Sequence, residues 1–298
     1  MTEIDTMEFK QKFIEKYSKI TDIEKFKEYS LKKPRKSIRV NTLKISVKEL
    51  KQRLSNFKLT QIPWCKEGFF VEGKRTDLGN LLEHQLGYFY IQEAASMLPS
   101  QVLSPKDEIV LDMAAAPGSK TTQLASIMDN QGIIIANELK YSRIIALATN
   151  LQRCGVSNTI ITNSDAINLK GKYDKISLDA PCSGTGTIRK SLKTLEIWNP
   201  HMYKKLSNIQ KKLILHAFDI LNEQGSLVYS TCSISPEENE QVIEFLLKKH
   251  ENAKLEKINL DIKSSKLISE NKELQKCLRI WPQDNNTDGF FVAKIKKL

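Results

Sequence analysis

The chain has 298 residues, 40% of them hydrophobic and 27% charged, the composition of a globular protein with room for one large core and a smaller second one. With 46 Lys+Arg against 35 Asp+Glu it carries a formal charge of +11, which points to a polyanionic partner, most simply nucleic acid. No apolar run is long enough to cross a bilayer, and the polar start Met1-Thr2-Glu3-Ile4-Asp5 is not a signal peptide. The five cysteines (Cys65, Cys154, Cys182, Cys232 and Cys277) are scattered without zinc-ligand spacing, so no metal is expected. This usage fits the reducing cytoplasm, where any special cysteine is chemical.

In chain order, amphipathic helical patterns come first, around Met7–Ile14 and Asp22–Tyr29. A basic cluster, Lys32-Lys33-Pro34-Arg35-Lys36, precedes the strand-like Ser37-Ile38-Arg39-Val40-Asn41-Thr42. A helix over Val47–Leu54 and a strand at Gly68–Glu72 complete a small α+β module. Its basic cluster is either a solvated face or an RNA contact; the nearby aromatics Trp64, Phe69 and Phe70 add to the RNA reading, although such aromatics are more often core. Tyr88–Met97 runs from strand into helix, and Ser104-Pro105-Lys106-Asp107 is the clearest punctuation. The expected division is therefore an N-terminal RNA-binding module, 1–105, and a second domain, 106–298.

From residue 108 strand and helix alternate. Strands are expected at Ile109–Asp112, Gly132–Glu138, Thr159–Asp165, Tyr173–Asp179, Gly225–Cys232, Lys254–Ile258 and Phe290–Ile295. Helices are expected from Thr121, over Tyr141–Leu151, His201–Leu221 and Pro236–Lys248. Such alternation makes a mostly parallel sheet with helices on both faces, the Rossmann-like α/β class, whose ligands sit beyond the C-terminal strand ends. Asp112, Glu138, Asp165, Asp179 and Cys232 all fall there. One acid at a strand end is usually a cap or a turn former; five polar residues in the same topological place mark a site.

The turn Ala114-Ala115-Ala116-Pro117-Gly118-Ser119-Lys120 joins the first of these strands to its helix. It has neither the Gly-x-Gly-x-x-Gly of a dinucleotide site nor the Gly-Lys-[Ser/Thr] of a P-loop. A nucleoside without pyrophosphate fits instead, which means S-adenosylmethionine. Glu138 is placed to accept from both ribose hydroxyls, Asp165 to reach the adenine amino group, and the backbone of 114–120 to hold the amino-acid end. Arg143 lies one helical turn past Glu138, facing either the same ligand or solvent.

Neighbouring strand ends also bring Cys182, in Asp179-Ala180-Pro181-Cys182, towards Cys232, in Ser230-Thr231-Cys232-Ser233. Cytosine C5 is a poor nucleophile until a thiolate adds to C6. A carboxylic acid near N3, here Asp179, absorbs the developing charge. Spacing leaves open which thiol attacks.

Asp112–Thr122, Asp179–Gly186 and Ser230–Ser233 resemble the motifs of the Nol1/Nop2/Sun family of RNA cytosine-C5 methyltransferases. The likeness extends to Ser37–Thr42, Arg279-Ile280-Trp281-Pro282 and Asp288-Gly289-Phe290-Phe291, and so spans nearly the whole chain. It implies that Cys232 is the nucleophile and that Cys182 helps to release the methylated RNA. The Pro-Cys pair alone would suggest Cys182, as in DNA cytosine methyltransferases. It further implies that Asp179 binds the base and joins Lys120, Glu138, Arg143 and Asp165 around the cofactor. In many members Lys120 follows Gly-Gly; here Gly118-Ser119 stands there, at a place where a side chain is tolerable. Arg189-Lys190 is expected to meet phosphate or the target base, or to be a solvated surface, and the target cytosine is expected to be flipped out of its stack.

The alternatives are a non-catalytic RNA-binding factor on the same fold, which the complete cysteine and acid set disfavours, and a DNA methyltransferase, disfavoured by Thr-Cys-Ser and the N-terminal module. An amino-methylating enzyme would need Asp/Asn-Pro-Pro-aromatic in place of Asp-Ala-Pro-Cys. The compact chain, by analogy with compact family members, sets tRNA as the expected substrate and ribosomal RNA as the next. No obligate protein partner is expected.

Overall fold

The computed structural model describes residues 9–298, so Met7 and Glu8 of the first helical pattern lie outside the described residues. The N-terminal sheet has four antiparallel strands: β1 (Ser37–Val40), β2 (Lys58–Ile62), β3 (Cys65–Glu72) and β4 (Phe89–Ile91), in the order β2-β3-β1-β4. A helix over Val47–Arg53, started by a Ser46–Glu49 capping box, lays Leu50 and Leu54 against Ile38, Val40, Phe69 and Phe89. Trp64, Phe69 and Phe70 are all buried, so they are core and offer no face for stacking on a base.

The basic cluster is largely occupied within the fold. Lys32 pairs with Glu28, Lys36 donates to Thr76 O, and Arg35 donates to Asn285 O (2.9 Å) and Asn286 O (3.2 Å) while lying over the Phe70 ring.

The second sheet has eight strands. β5 (Ile109–Asp112), β6 (Ile133–Asn137), β7 (Thr159–Thr162), β8 (Tyr173–Asp179) and β9 (Leu221–Thr231) run parallel. β10 (Ala253–Glu256), β11 (Leu278–Ile280) and β12 (Phe290–Lys297) complete it, β12 antiparallel to β9. The order is β10-β12-β9-β8-β5-β6-β7, with β11 beside β12. Isoleucine and valine runs such as Val110-Leu111 and Ile133-Ile134-Ile135 suit strands covered on both faces. One face packs on Leu213, Ile214, Ala217 and Phe218 of the helix Met202–Asp219; the other takes Leu98, Val102, Leu124 and Met128.

The third strand ends at Thr162, short of the expected Asp165. The expected helix 236–248 begins instead as a 3-10 turn, Pro236–Glu238, before the α-helix Glu240–Lys249. Among the described residues no helix is long and apolar enough to cross a membrane.

Two segments ahead of Ser104 pack on the larger sheet and its loops. The helix Leu98–Leu103 contacts β8, β9 and β12. The first two helices, Gln11–Tyr17 and Ile23–Leu31, bury Phe13, Tyr17 and Phe26 against Trp198, Tyr203 and Trp281.

Candidate active site

The chain leaves β5 for β6 and β7 on one side and returns to β8 on the other. That reversal opens a crevice at the C-terminal strand ends. A cavity of about 640 Å³ lies there, lined among others by Ala114, Ala116, Glu138, Arg143, Asp165, Asp179, Cys182 and Cys232. Ala115 is turned into the core with Leu147 and Leu151, and Pro117, Gly118 and Ser119 do not line the cavity. Gly118 has φ +103° and starts the helix Ser119–Ile127; a Cβ there would sit 3.1 Å from Leu147 Cδ1.

Register explains how the thiols meet. Asp179 of β8 lies opposite Ser230 of β9, and Ser230 Oγ donates to Asp179 Oδ1 at 2.8 Å. The two loops leave the sheet at the same level, so Cys182 Sγ and Cys232 Sγ stand 3.3 Å apart. Cys182 is held well above its ordinary pKa, first by the hydrogen bond with Cys232, then by burial and by the charges of Cys232 and Glu238. Cys65, Cys154 and Cys277 are buried away from this pair, their thiols pushed up chiefly by burial, as befits small core side chains.

Lys120 reaches the site through Asp179: its Nζ donates to Asp179 Oδ2 at 2.7 Å and to Ser96 Oγ at 3.3 Å. Burial opposes the Lys120 charge, but the Asp179 carboxylate outweighs it and holds the ammonium above its ordinary pKa. At the far end Glu138 is 3% exposed. Its Oε1 accepts from Lys140 N (2.9 Å), while Oε2 lies 3.1 Å from Arg143 Nη1 without a well-directed hydrogen bond. Arg143 spends its Nη2 on Ala116 O, pinning the turn. Asp165 Oδ1 accepts from Ile167 N at 3.2 Å and caps the short turn that follows.

Residues 100–296 match the family described as 16S rRNA methyltransferase RsmB/F, and residues 9–94 match the N-terminal domain of 16S rRNA methyltransferase RsmF. The chain belongs to the RsmB/F family.

RsmB/F is the Nol1/Nop2/Sun family of RNA cytosine-C5 methyltransferases, and the chain is accordingly a methyltransferase. It is 46% identical to the tRNA (cytosine(49)-C(5))-methyltransferase of Pyrococcus abyssi, over 97% of this chain and 98% of that protein. It is also 46% identical to ribosomal RNA small subunit methyltransferase F of Vibrio cholerae, over 89% of this chain and 58% of that longer protein. A methyltransferase homologue from Pyrococcus horikoshii superposes with a TM-score of 0.83 at 38% identity, covering 92% of this chain and 90% of that one. NSun6 from Pyrococcus horikoshii, solved with SFG, superposes with a TM-score of 0.87 at 28% identity, covering 97% and 98%.

Within this RsmB/F site the structure adds residues that motif reading passed over. Asn137 ties the turn to the neighbouring strand through Met113 O (3.2 Å) and Ser164 O (3.0 Å). Leu139, Ile167, Ile209 and Leu213 make the apolar part of the wall, and Lys212 stands at its rim. A strand-end asparagine and exposed isoleucines carry no sequence signal of their own. Arg189, expected to meet RNA or solvent, is buried instead. It donates to Thr287 O (3.0 Å), Lys33 O (3.1 Å) and Asn286 Oδ1 (3.0 Å), locking the loop after Cys182 to the C-terminal turn and leaving Lys190 exposed.

Asp112 lies beneath the turn, 1% exposed, with Oδ2 accepting from Thr121 Oγ1 (2.7 Å) and Oδ1 buried without a partner. Burial pushes its carboxyl up from 3.8 to about 6. A carboxyl raised on folding binds its proton better in the native state, so its contribution is present below the unfolded pKa and is lost as pH rises through about 6. Asp112→Asn abolishes this titration. Its stability relative to the parent should improve by about 2 kcal/mol between pH 4.5 and pH 8 in urea unfolding. A difference independent of pH would show that Asp112 ionises normally.

Proposed function

We propose that this RsmB/F chain methylates C5 of cytosine in tRNA, with S-adenosylmethionine as the methyl donor, Cys232 as the nucleophile and Cys182 as the releasing thiol. The observation that carries the assignment is the 3.3 Å thiol pair at the cavity edge, beside the Asp179–Lys120 pair.

The cavity fits the cofactor. Its volume is that of a small-molecule site, and Glu138 presents a buried carboxylate oxygen that lacks a donor, as a ribose hydroxyl would supply. Ala114 and Ala116, the turn residues at the cavity wall, would face the amino-acid end, Asp165 the adenine amino group, and Leu139 and Ile167 the faces of the ring. SFG, found with the related NSun6, is an analogue of S-adenosylmethionine. When bound, the cofactor supplies an electrophilic methyl group to C5.

The remaining work belongs to the chain. Cys232 Sγ, as thiolate, forms a bond to C6, and electron density passes to C5 and N3. Asp179, steadied by Lys120 and Ser230, hydrogen-bonds the ring where that charge develops. After transfer, C5 carries both a methyl group and a proton. Water takes that proton, the C5–H electron pair forms the C5–C6 double bond, the C6–S bond breaks, and Cys232 leaves as a thiolate that the adjacent Cys182 thiol stabilises by donating a hydrogen bond.

The tRNA reading is supported by 46% identity to the tRNA enzyme over 97% of this chain. Ribosomal RNA is the second reading, since both matching family descriptions are of 16S rRNA enzymes. The N-terminal module, with Lys33, Lys44, Lys48, Lys51 and Lys74 exposed, would carry the RNA. Transfer of labelled methyl to unmodified tRNA and to ribosomal RNA, followed by nucleoside digestion, decides between them. Label in 5-methylcytidine from tRNA is expected; label only in ribosomal RNA overturns the substrate, and no label in either overturns the activity.

Glu138→Ala should weaken cofactor binding about tenfold to a hundredfold, the worth of a charge-assisted hydrogen bond, while leaving single-turnover transfer at saturating cofactor near the parent rate. Titration calorimetry reads the first and rapid quench the second. Unaltered affinity would remove Glu138 from the cofactor site.

A further inference from the structure

We propose that Glu238 is a positioning residue for the reaction: one buried carboxylate that fastens the two cysteine loops to each other. The proposal rests on the roles assigned above to Cys182 and Cys232.

Glu238 is fully buried in the 3-10 turn Pro236–Glu238 that follows the Cys232 loop. Its Oε1 accepts from Ser183 N (2.9 Å) and Gln210 Nε2 (3.0 Å). Its Oε2 accepts from both Ser183 Oγ and Ser233 Oγ. Ser183 and Ser233 are the residues immediately after the two cysteines, so each loop is held one residue from its thiol by the same carboxylate. Gln210 extends the clamp by donating also to Pro181 O (2.8 Å), the residue before Cys182. All four donors to the carboxylate are neutral. A charge buried on hydrogen bonds alone is costly, and its donors are then held in one geometry.

The rest of the turn is anchored to the end of β9. Tyr229 OH donates to Glu238 O (2.6 Å), Thr231 Oγ1 to Asn239 Oδ1 (2.6 Å), and Asn239 Nδ2 to Ser233 O (2.8 Å). A second latch lies on the other side of the thiols. Gly186 N donates to Cys232 O (2.9 Å), and a Cβ on Gly186 would fall 2.2 Å from Gly289 O. The loops are thus tied on both sides of the pair, and the 3.3 Å thiol separation follows from that bracing. The Glu238 charge also adds, after the Cys232 hydrogen bond, burial and the Cys232 charge, to what opposes ionisation of Cys182.

The test measures methyl transfer to the RNA that the parent accepts, for Glu238→Ala, Glu238→Gln, Ser183→Ala, Ser233→Ala and a Cys232→Ser control. Glu238→Ala should lower kcat about a hundredfold, the cost of misplacing reacting groups by about 1 Å, with the cofactor Kd and the KM for RNA held within about twofold. Glu238→Gln should recover to within about tenfold, because its carbonyl serves Ser183 N and Gln210 while its amide donates to the two hydroxyls. Each serine variant should lose about tenfold, and these carry the test if Glu238→Ala does not fold. Parent kcat in Glu238→Ala or in both serine variants overturns the proposal. So does a Glu238→Gln protein as slow as Glu238→Ala with Kd and KM changed too. Activity in the Cys232→Ser control brings down the cysteine assignment itself, separately from the clamp.

Discussion

A Cys232→Ser protein should transfer methyl groups to RNA at least about 10⁴-fold more slowly than the parent, with cofactor affinity unchanged. The reason lies in the substrate. Without addition at C6, C5 does not become nucleophilic, and a serine hydroxyl is not an adequate replacement for a thiolate at neutral pH. Cys182→Ala should fail at the other end of the cycle. The S–C6 bond still forms and the methyl group still moves, but release is impaired, so a protein–RNA adduct stable in denaturant should accumulate. The two variants therefore separate on a denaturing gel with labelled RNA: no adduct for Cys232→Ser, a retarded band for Cys182→Ala. An adduct from Cys232→Ser and none from Cys182→Ala would exchange the roles. Geometry alone permits that exchange, because the two thiols are 3.3 Å apart and both reach the cavity.

The Rossmann-like fold was legible because each parallel strand is a short apolar run ending in a polar residue, and this periodicity survives without tertiary information. The strand-end residues Glu138, Asp165, Asp179 and Cys232 line one cavity for the same reason. What was less legible depends on packing. Trp64, Phe69 and Phe70 beside a basic cluster have the composition of an RNA-stacking surface, yet Phe69 and Phe70 point to opposite faces of β3 and both faces are covered, Phe69 packing with Leu50 and Phe89, and Phe70 with Trp64 and Met97. Arg189-Lys190 resembles a phosphate contact, but three oxygen acceptors contributed from distant parts of the chain take the Arg189 guanidinium into the interior. Glu238 gave no signal at all. An acid after Ser-Pro reads as the first turn of a helix, and only the parallel register of β8 and β9 brings Ser183 and Ser233 to the same carboxylate.

The second large effect is expected at Asp179, where sequence reasoning assigned contacts with both the base and the cofactor. Its carboxylate is shared between Lys120 Nζ (2.7 Å) and Ser230 Oγ (2.8 Å), and its side chain remains 31% exposed, towards the cavity. In the proposed mechanism Asp179→Ala removes the group that meets charge developing on the ring, and in the structure it leaves the buried Lys120 ammonium without its counter-ion. Transfer should fall about 10³-fold, in the range for loss of a preorganised electrostatic or acid–base partner. Lys120→Met removes only the support and should cost about tenfold to a hundredfold. Because Lys120 acts through Asp179, the double variant should be no slower than Asp179→Ala alone, a departure from additivity that marks a shared interaction. Cofactor titration then divides the two assignments. If Asp179→Ala binds S-adenosylmethionine as tightly as the parent, the carboxylate serves the base; if affinity falls in step with the rate, it holds the cofactor. The geometry favours the first outcome, since Asp179 stands on the same strand end that leads to Cys182, whereas Glu138 and Asp165 lie across β5, beyond β6 and β7.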